Sequence, residues 1–315
     1  MFSSGNGVFS PCFSGAIAYD FKKTNVEIFS KLHFDFFGIE LNSECKKWFS
    51  SDGKELRGSI LSGDKRGEAV VQMVSHEQRV TYAESFYNGK KESEIPCVRE
   101  LVKKGFSSQK ISLDALHLNP ETTKLIHQNQ GNYLIGLKNN QPELLEELSS
   151  LTQLVKPENI QHDEPEKGHG RIDSRIYKRI NINDLHFDKR WEKSGFQTLV
   201  WVERTSWDCK NNTQSKEISY YISNLKRSEE NGNELFDAVR NHWKIETNNY
   251  VRDVSLNEDK LRTKHTKSSQ LLAGCRTLVV NFLTKEKLDN MRAKMESFVD
   301  DFNQLIHFFK EKKIL

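Results

Sequence analysis

The sequence predicts an α/β protein: a mixed sheet flanked by helices, with a β-rich insertion before a late helix and a helical C-terminus. Three observations carry this. Three β-prone runs lie close together between residues 47 and 86. Helical and strand-like segments then alternate from Ser93 to about Leu151. Helical periodicity returns at Asn233, after a stretch rich in aromatic strand candidates, and persists to the end.

Taken in order, a first strand covers about 47–52. Glu68 to Ser75 and Arg79 to Phe86 follow, split by the polar turn His76-Glu77-Gln78, so the three form a meander. Ser93 to Gly105 reads as a helix with Ile95, Val98, Leu101 and Val102 on one face, ended by Gly105. Lys110 to Asp114 is the fourth strand. Pro120 opens the next helix, Asn132 to Lys138 is the fifth strand, and Gln141-Pro142 starts a further helix to about Leu151. Arg171 to Ile182, Phe196 to Thr205 and Glu217 to Ser223 are the strands expected of the insertion. The order β-β-β-α-β-α-β followed by a late helix is the ribonuclease-H-like order.

The expected organisation is an atypical, shortened N-terminal segment (1–44), the first part of a catalytic domain (45–152), the β-rich insertion (153–232), a catalytic helix closing that domain (233–285), and a C-terminal amphipathic helix (286–315). In the last of these, Leu288, Met291, Met295, Phe298, Phe302, Leu305 and Phe309 repeat at alternating spacings of three and four. That seam suits a helix docked on its own domain, with self-association as the alternative.

Composition sets bounds. The chain has 315 residues, 36% of them hydrophobic, with 19 Phe and 5 Trp, enough for a sizeable core despite a mean hydropathy of −0.69. Net charge is only +3, so any affinity for nucleic acid must come from local patches. Five scattered cysteines without a C-x-x-C pair support neither a zinc site nor a disulfide framework. No apolar run approaches the roughly 20 residues of a membrane span. A cytoplasmic protein without membrane partners is expected.

Three carboxylates fall where this topology would gather them: Asp52 in the first strand, Asp114 at the end of the fourth, and Glu246 on the late helix. Clustered carboxylates repel and are costly to desolvate unless a cation neutralises them. Two Mg²⁺ ions, with Mn²⁺ able to substitute, resolve that conflict and support in-line attack on phosphodiesters. His242, Trp243 and Asp253 fall on the same side of the late helix as Glu246. Residues 240–267 add seven Lys/Arg, including Arg240 and Arg262, to four acids, a cluster suited to phosphate. His169-Gly170-Arg171-Ile172-Asp173-Ser174-Arg175 offers two arginines that can clamp a phosphate, or a loop with an internal Arg–Asp pair.

Together these motifs resemble insertion-sequence transposases of the DDE type, in the H-repeat-associated branch. The likeness is carried by Asp52-Gly53-Lys54-Glu55-Leu56-Arg57-Gly58-Ser59, Ser93-Glu94-Ile95, Leu113-Asp114-Ala115, Tyr133 to Gln141 with Lys138, the His169–Arg175 motif, Tyr220-Tyr221-Ile222-Ser223, Arg240 to Glu246, and Asp253-Val254 with Glu258-Asp259. It runs from about residue 45 to 285. The resemblance implies a ribonuclease-H-like domain, Mg²⁺-dependent cleavage and strand transfer at the inverted-repeat ends of a mobile element and its target DNA, and a homodimer on DNA. It implies Asp52, Asp114 and Glu246 as catalytic metal ligands, with Lys54, Arg57, Lys138, His169, Arg171, Arg175, Arg240, His242, Trp243, Asp253 and Arg262 supporting the site or the DNA. Departures are the 51 residues before Asp52, where relatives usually have about a hundred, Thr247 in place of the usual Asn, and Leu116-His117-Leu118-Asn119 after Asp114. They leave two alternatives: a DNA-binding remnant that cannot transpose, and a host-recruited nuclease.

Overall fold

The computed structural model describes residues 41, 44–168, 170–226, 233–263, 265–286 and 290–311. The atypical N-terminal segment, apart from Leu41 and Glu44, lies outside these residues, as do His169 and Leu288.

The first five strands follow the expected order. They are β1 (Trp48–Glu55), β2 (Ala69–Ser75), β3 (Thr81–Tyr87), β4 (Lys110–Leu113) and β5 (Asn132–Leu137). Between them stand α1 (Lys91–Leu101) and α2 (Pro120–Gln128), and α3 (Pro142–Leu154) follows. Gly105, at φ 125°, ends the π-turn that continues α1, a conformation that glycine adopts without strain. Asn119 caps α2 by accepting from the Thr122 N–H, and Pro120 and Pro142 occupy first helical turns, where a missing N–H costs nothing.

The insertion contributes β6 (Asn159–His162), β7 (Glu166–Gly168), β8 (Arg171–Asn181), β9 (Thr198–Asp208) and β10 (Thr213–Ser223). It forms no separate layer. β10 pairs antiparallel with β5, so all ten strands make one sheet in the order 3-2-1-4-5-10-9-8-6, with β7 on β8. Among the described residues, only the pairs β1–β4 and β4–β5 are parallel. The sequence reading misses β6 and β7, which are short and polar, and starts β10 four residues late. Thr213 to Lys216 carries no apolar signal and is a strand through its ladder to β9.

Successive side chains of the central strands point to opposite faces. One face carries Phe49, Ile111, Leu113, Tyr133 and Ile135 into a core with Val98, Leu101 and Phe106 after β3, Ile126 of α2 and Leu148 of α3. Phe49 meets Phe106 and Tyr82 edge-on, at 5.0 and 5.9 Å between ring centres. The opposite face carries Leu134, Tyr177, Val200 and Val202 against α4 (Glu234–His242).

Two expectations for the helical end need correction. The late helix is interrupted: α4 gives way at Trp243 to α5 (Lys244–Tyr250), then to a π-turn over Val251–Ser255. The C-terminal seam is two helices and not one. After α6 (Thr266–Lys285) come α7 (Met291–Asp300) and α8 (Phe302–Glu311), broken where Asp301 takes an extended conformation at φ −135°. The break lets Met291, Met295, Phe298, Leu305, Phe308 and Phe309 all pack on the main core. Phe302 does not follow them and is 66% exposed.

Candidate active site and basic cleft

Parallel pairing sets the first two carboxylates side by side. Ser51 of β1 lies opposite Leu113 of β4, and Asp52 and Asp114 are the next residues of each strand. The Asp114 carboxylate accepts the Leu116 N–H at 3.0 Å and so caps the short turn Ala115–His117. The Asp52 carboxyl is pushed up to about 7, first by burial, then by the negative charges of Asp114 and Glu94. The Gly53 N–H and His117 oppose that rise.

Glu94 stands over the β1 backbone beside Asp52. It comes from the first turns of α1, is 8% exposed, and both its oxygens are held. The Tyr87 hydroxyl donates to Oε2 at 2.9 Å, and His117 Nε2 lies 3.2 Å from Oε1. Gly53 makes the approach possible, because a Cβ there would stand 2.6 Å from both the Glu94 carboxyl carbon and the Tyr87 hydroxyl. Sequence reasoning missed Glu94 and His117 as site residues. The signals were Glu94 in the Ser93-Glu94-Ile95 motif and His117 three residues after Asp114.

The late helices are anchored next to this pair. His242, at the end of α4, places Nδ1 2.9 Å from the Ser112 hydroxyl on β4, and His76 Nε2 reaches the same oxygen from the other side at 2.9 Å. Trp48 stacks on His76 with 5.8 Å between ring centres. Both imidazoles are held neutral. Burial, then the charges of His242 and Lys244, take His76 down to about 3, and burial, then His117, takes His242 to about 4.

Glu246 is one turn beyond His242, on α5, where desolvation raises its carboxyl. It lines a cleft of about 540 Å³ between α4–α5 and the polar end of β8, β9 and β10. Lys138, Arg175, Arg204, Arg240 and Lys244 share that lining, with Trp243 52% exposed among them. Arg175 pairs with Glu166 at 3.0 Å, Arg204 with Asp173 at 2.7 Å, and Arg240 with Asp163 at 2.6 Å and with Glu166. Lys138 has no carboxylate partner among the described residues.

The remaining expected residues divide. Arg57 (73% exposed), Arg171 and Arg262 are on the surface, Arg57 with Asp259 3.8 Å away. Lys54, expected to support the site or the DNA, is inside the protein and not on a DNA-facing surface. It is buried at 8% exposure, with its ammonium 2.7 Å from Asp253, 3.4 Å from Glu258 and 3.5 Å from Asp259. Glu258 in turn receives a two-pronged bond from the fully buried Arg252, at 2.9 and 2.8 Å. Burial alone would raise the Glu258 carboxyl, but Arg252, Lys54 and Arg276 bring it below its ordinary range. Lys54 and Asp253 therefore clamp the segment after α5 onto β1.

Among the described residues, no three His, Cys, Asp or Glu side chains form a ready metal-ligand set. The fit to a divalent cation rests on the Asp52–Asp114 pair, the first partly buried and the second half-exposed, whose mutual repulsion a cation would relieve. Glu246 lines the cleft, whose lining includes neither Asp52 nor Asp114.

No family model matches the chain. Relatives among known proteins do. The H repeat-associated putative transposase YhhI of Escherichia coli K12 is 29% identical over 276 residues, covering 84% of this chain and 71% of that protein. Homologues of this chain are thus named H repeat-associated putative transposases. The putative transposase YncI of Escherichia coli O157:H7 is 27% identical over 266 residues, 80% of this chain and 67% of that protein. The putative protein YbfL of Escherichia coli K12 matches at 29% over 276 residues, 84% of this chain and 71% of that protein. No described helix is long and apolar enough to cross a membrane.

Proposed function

We propose that this chain is a DDE-type transposase that cleaves DNA at the ends of a mobile element and transfers the strand, on a ribonuclease-H-like domain. The observation that carries the reading is the placement of Asp52 and Asp114 on neighbouring parallel strands, with the helix pair bearing Glu246 anchored to β4 through His242 and Ser112. The strand order 3-2-1-4-5, with β4 and β5 parallel to β1, supports the fold assignment. The names of the relatives support transposition and DNA as the partner.

On this reading Asp52, Asp114 and Glu246 hold the metal. Two Mg²⁺ ions, or Mn²⁺, would supply Lewis-acid stabilisation of phosphate oxygens and lower the pKa of the attacking hydroxyl. The protein's own residues do the rest. Lys138 and the arginines of the cleft hold the phosphate backbone by charge, and the arginines' carboxylate partners release them as phosphate takes over. Trp243 offers an aromatic face to sugar or base. A homodimer that brings two element ends together completes the proposal.

The test is cleavage of supercoiled DNA carrying the element's own ends, with Mg²⁺ or Mn²⁺, by wild type, Asp114→Asn and Glu246→Gln. Cutting at the ends that both substitutions abolish is expected, with circular dichroism unchanged. Cutting that survives in both sinks the reading. A DNA-binding remnant is the second reading, favoured by the lack of a ready three-ligand set among the described residues. It requires that wild type binds the ends and cuts nothing.

A further inference from the structure

We propose that Glu94 and His117 are a positioning pair for Asp114, a role that rests on the reading of Asp52 and Asp114 given above. The geometry runs as one relay. The Tyr87 hydroxyl fixes Glu94 Oε2, and Glu94 Oε1 fixes His117 Nε2. The same Nε2 lies 3.7 Å from Asp114 Oδ1, the oxygen already held by the Leu116 N–H. An ionised carboxylate only accepts, so the Nε2 proton of His117 is donated to Glu94, with the Asp114 oxygen near it but beyond hydrogen-bond distance. That defines the ring's tautomer and its plane. His117 is 1% exposed and its Nδ1, also buried, has no hydrogen-bond partner among the described residues. The ring is therefore held from one side only, by its hydrogen bond to Glu94, and that same edge faces Asp114.

Several observations favour positioning over direct service as a ligand. Both Glu94 oxygens are committed to donors within the protein. The carboxyl is buried on the bare backbone of Gly53, where a Cβ would force the Glu94 carboxyl or the Tyr87 hydroxyl to shift. Asp114 is 49% exposed and is held within the protein by the Leu116 N–H at Oδ1, so the nearby His117 edge is what limits its carboxylate on the other side. Outer partners that orient metal-ligating groups typically cost about 10–100-fold in metal affinity or activity when lost.

The experiment measures Mn²⁺ binding by electron paramagnetic resonance, together with kcat and KM for DNA cleavage, in Glu94→Ala, Glu94→Gln, His117→Ala, Gly53→Ala and Asp114→Asn. Folding of each is checked by circular dichroism and Tm. Glu94→Ala and His117→Ala are expected to lose about 10–100-fold in Mn²⁺ affinity or kcat, with KM for DNA unchanged. Glu94→Gln, which still accepts from His117, recovers most of that loss. Gly53→Ala, which displaces Glu94 without removing its charge, behaves as Glu94→Ala does.

Two results overturn the pair. If Glu94→Gln is as inactive as Glu94→Ala, the charge itself is used and Glu94 is a ligand. If Glu94→Ala and His117→Ala bind Mn²⁺ and cut DNA as wild type does, while Asp114→Asn is inactive, the pair only supports the fold. An active Asp114→Asn overturns the functional reading itself.

Discussion

Asp52 shows most directly what burial and charge do to one residue. Its carboxyl rises from 3.8 to about 7, so the folded protein holds that proton more tightly than the unfolded chain does. The stabilising effect of the bound proton is complete below pH 3.8 and is lost as pH climbs through about 7. Asp52→Asn removes the charge and with it the loss. In metal-free buffer at pH 8 the variant should be more stable than wild type by about 2 kcal/mol, allowing for partial solvent screening, and equal to it near pH 4. Thermal unfolding at both values checks this, and an unchanged difference between them refutes it. Asp52 and Asp114 were legible in the sequence because each sits in a short strand context that a topology could place. Glu94 and His117 were not, because their pairing depends on Gly53 leaving space and on the fold bringing α1 to the turn after β4.

Among the elements, the attachment of α4 and the segment after α5 decides whether Glu246 is presented at all. Ser112 ties α4 to β4 through two neutral histidines. Because both have folded values depressed below 6.5, their contribution is whole above pH 6.5 and is lost as pH falls toward about 4. Each histidine can cost up to about 1.4 kcal/mol per pH unit across that window. Replacing His242 by Gln should flatten the acid side of the stability profile, as urea midpoints at pH 7 and 5 would register. The second attachment is ionic. Arg252→Met leaves Glu258 beside Lys54 in a buried site and should cost about 3–5 kcal/mol in chemical denaturation. A loss below 1 kcal/mol would mean that water reaches the site. Periodicity announced a helix here but not its break at Trp243, since tertiary anchors at Ser112 and Glu258 override local propensity.

For the whole molecule, the cleft collects cations from segments that lie far apart in the chain: Lys138 after β5, Arg175 on β8, Arg204 on β9, and Arg240 and Lys244 on the late helices. A net charge of +3 concealed this, and only the ladder from β5 to β8 reveals it. If DNA lies there, Lys138→Ala should weaken binding evenly across sequences and reduce the slope of log K against log salt by about 1. Fluorescence anisotropy over a salt series reads the slope, and an unchanged slope removes Lys138 from the interface. The central strand order and both flanking layers were legible in the alternating pattern. The union of insertion and core sheet was not, because the β5–β10 pairing joins segments with no shared local signal.

That union also matters while the chain is being made. β5 is apolar and almost wholly buried, and one of its edges stays bare until its partner, which begins at Thr213, has emerged. At about 5–20 residues per second, ribosomes leave that edge open for on the order of ten seconds. An exposed strand edge of this kind invites pairing with other chains. The nascent protein should therefore depend on chaperones during synthesis of its insertion, more than the finished fold would suggest.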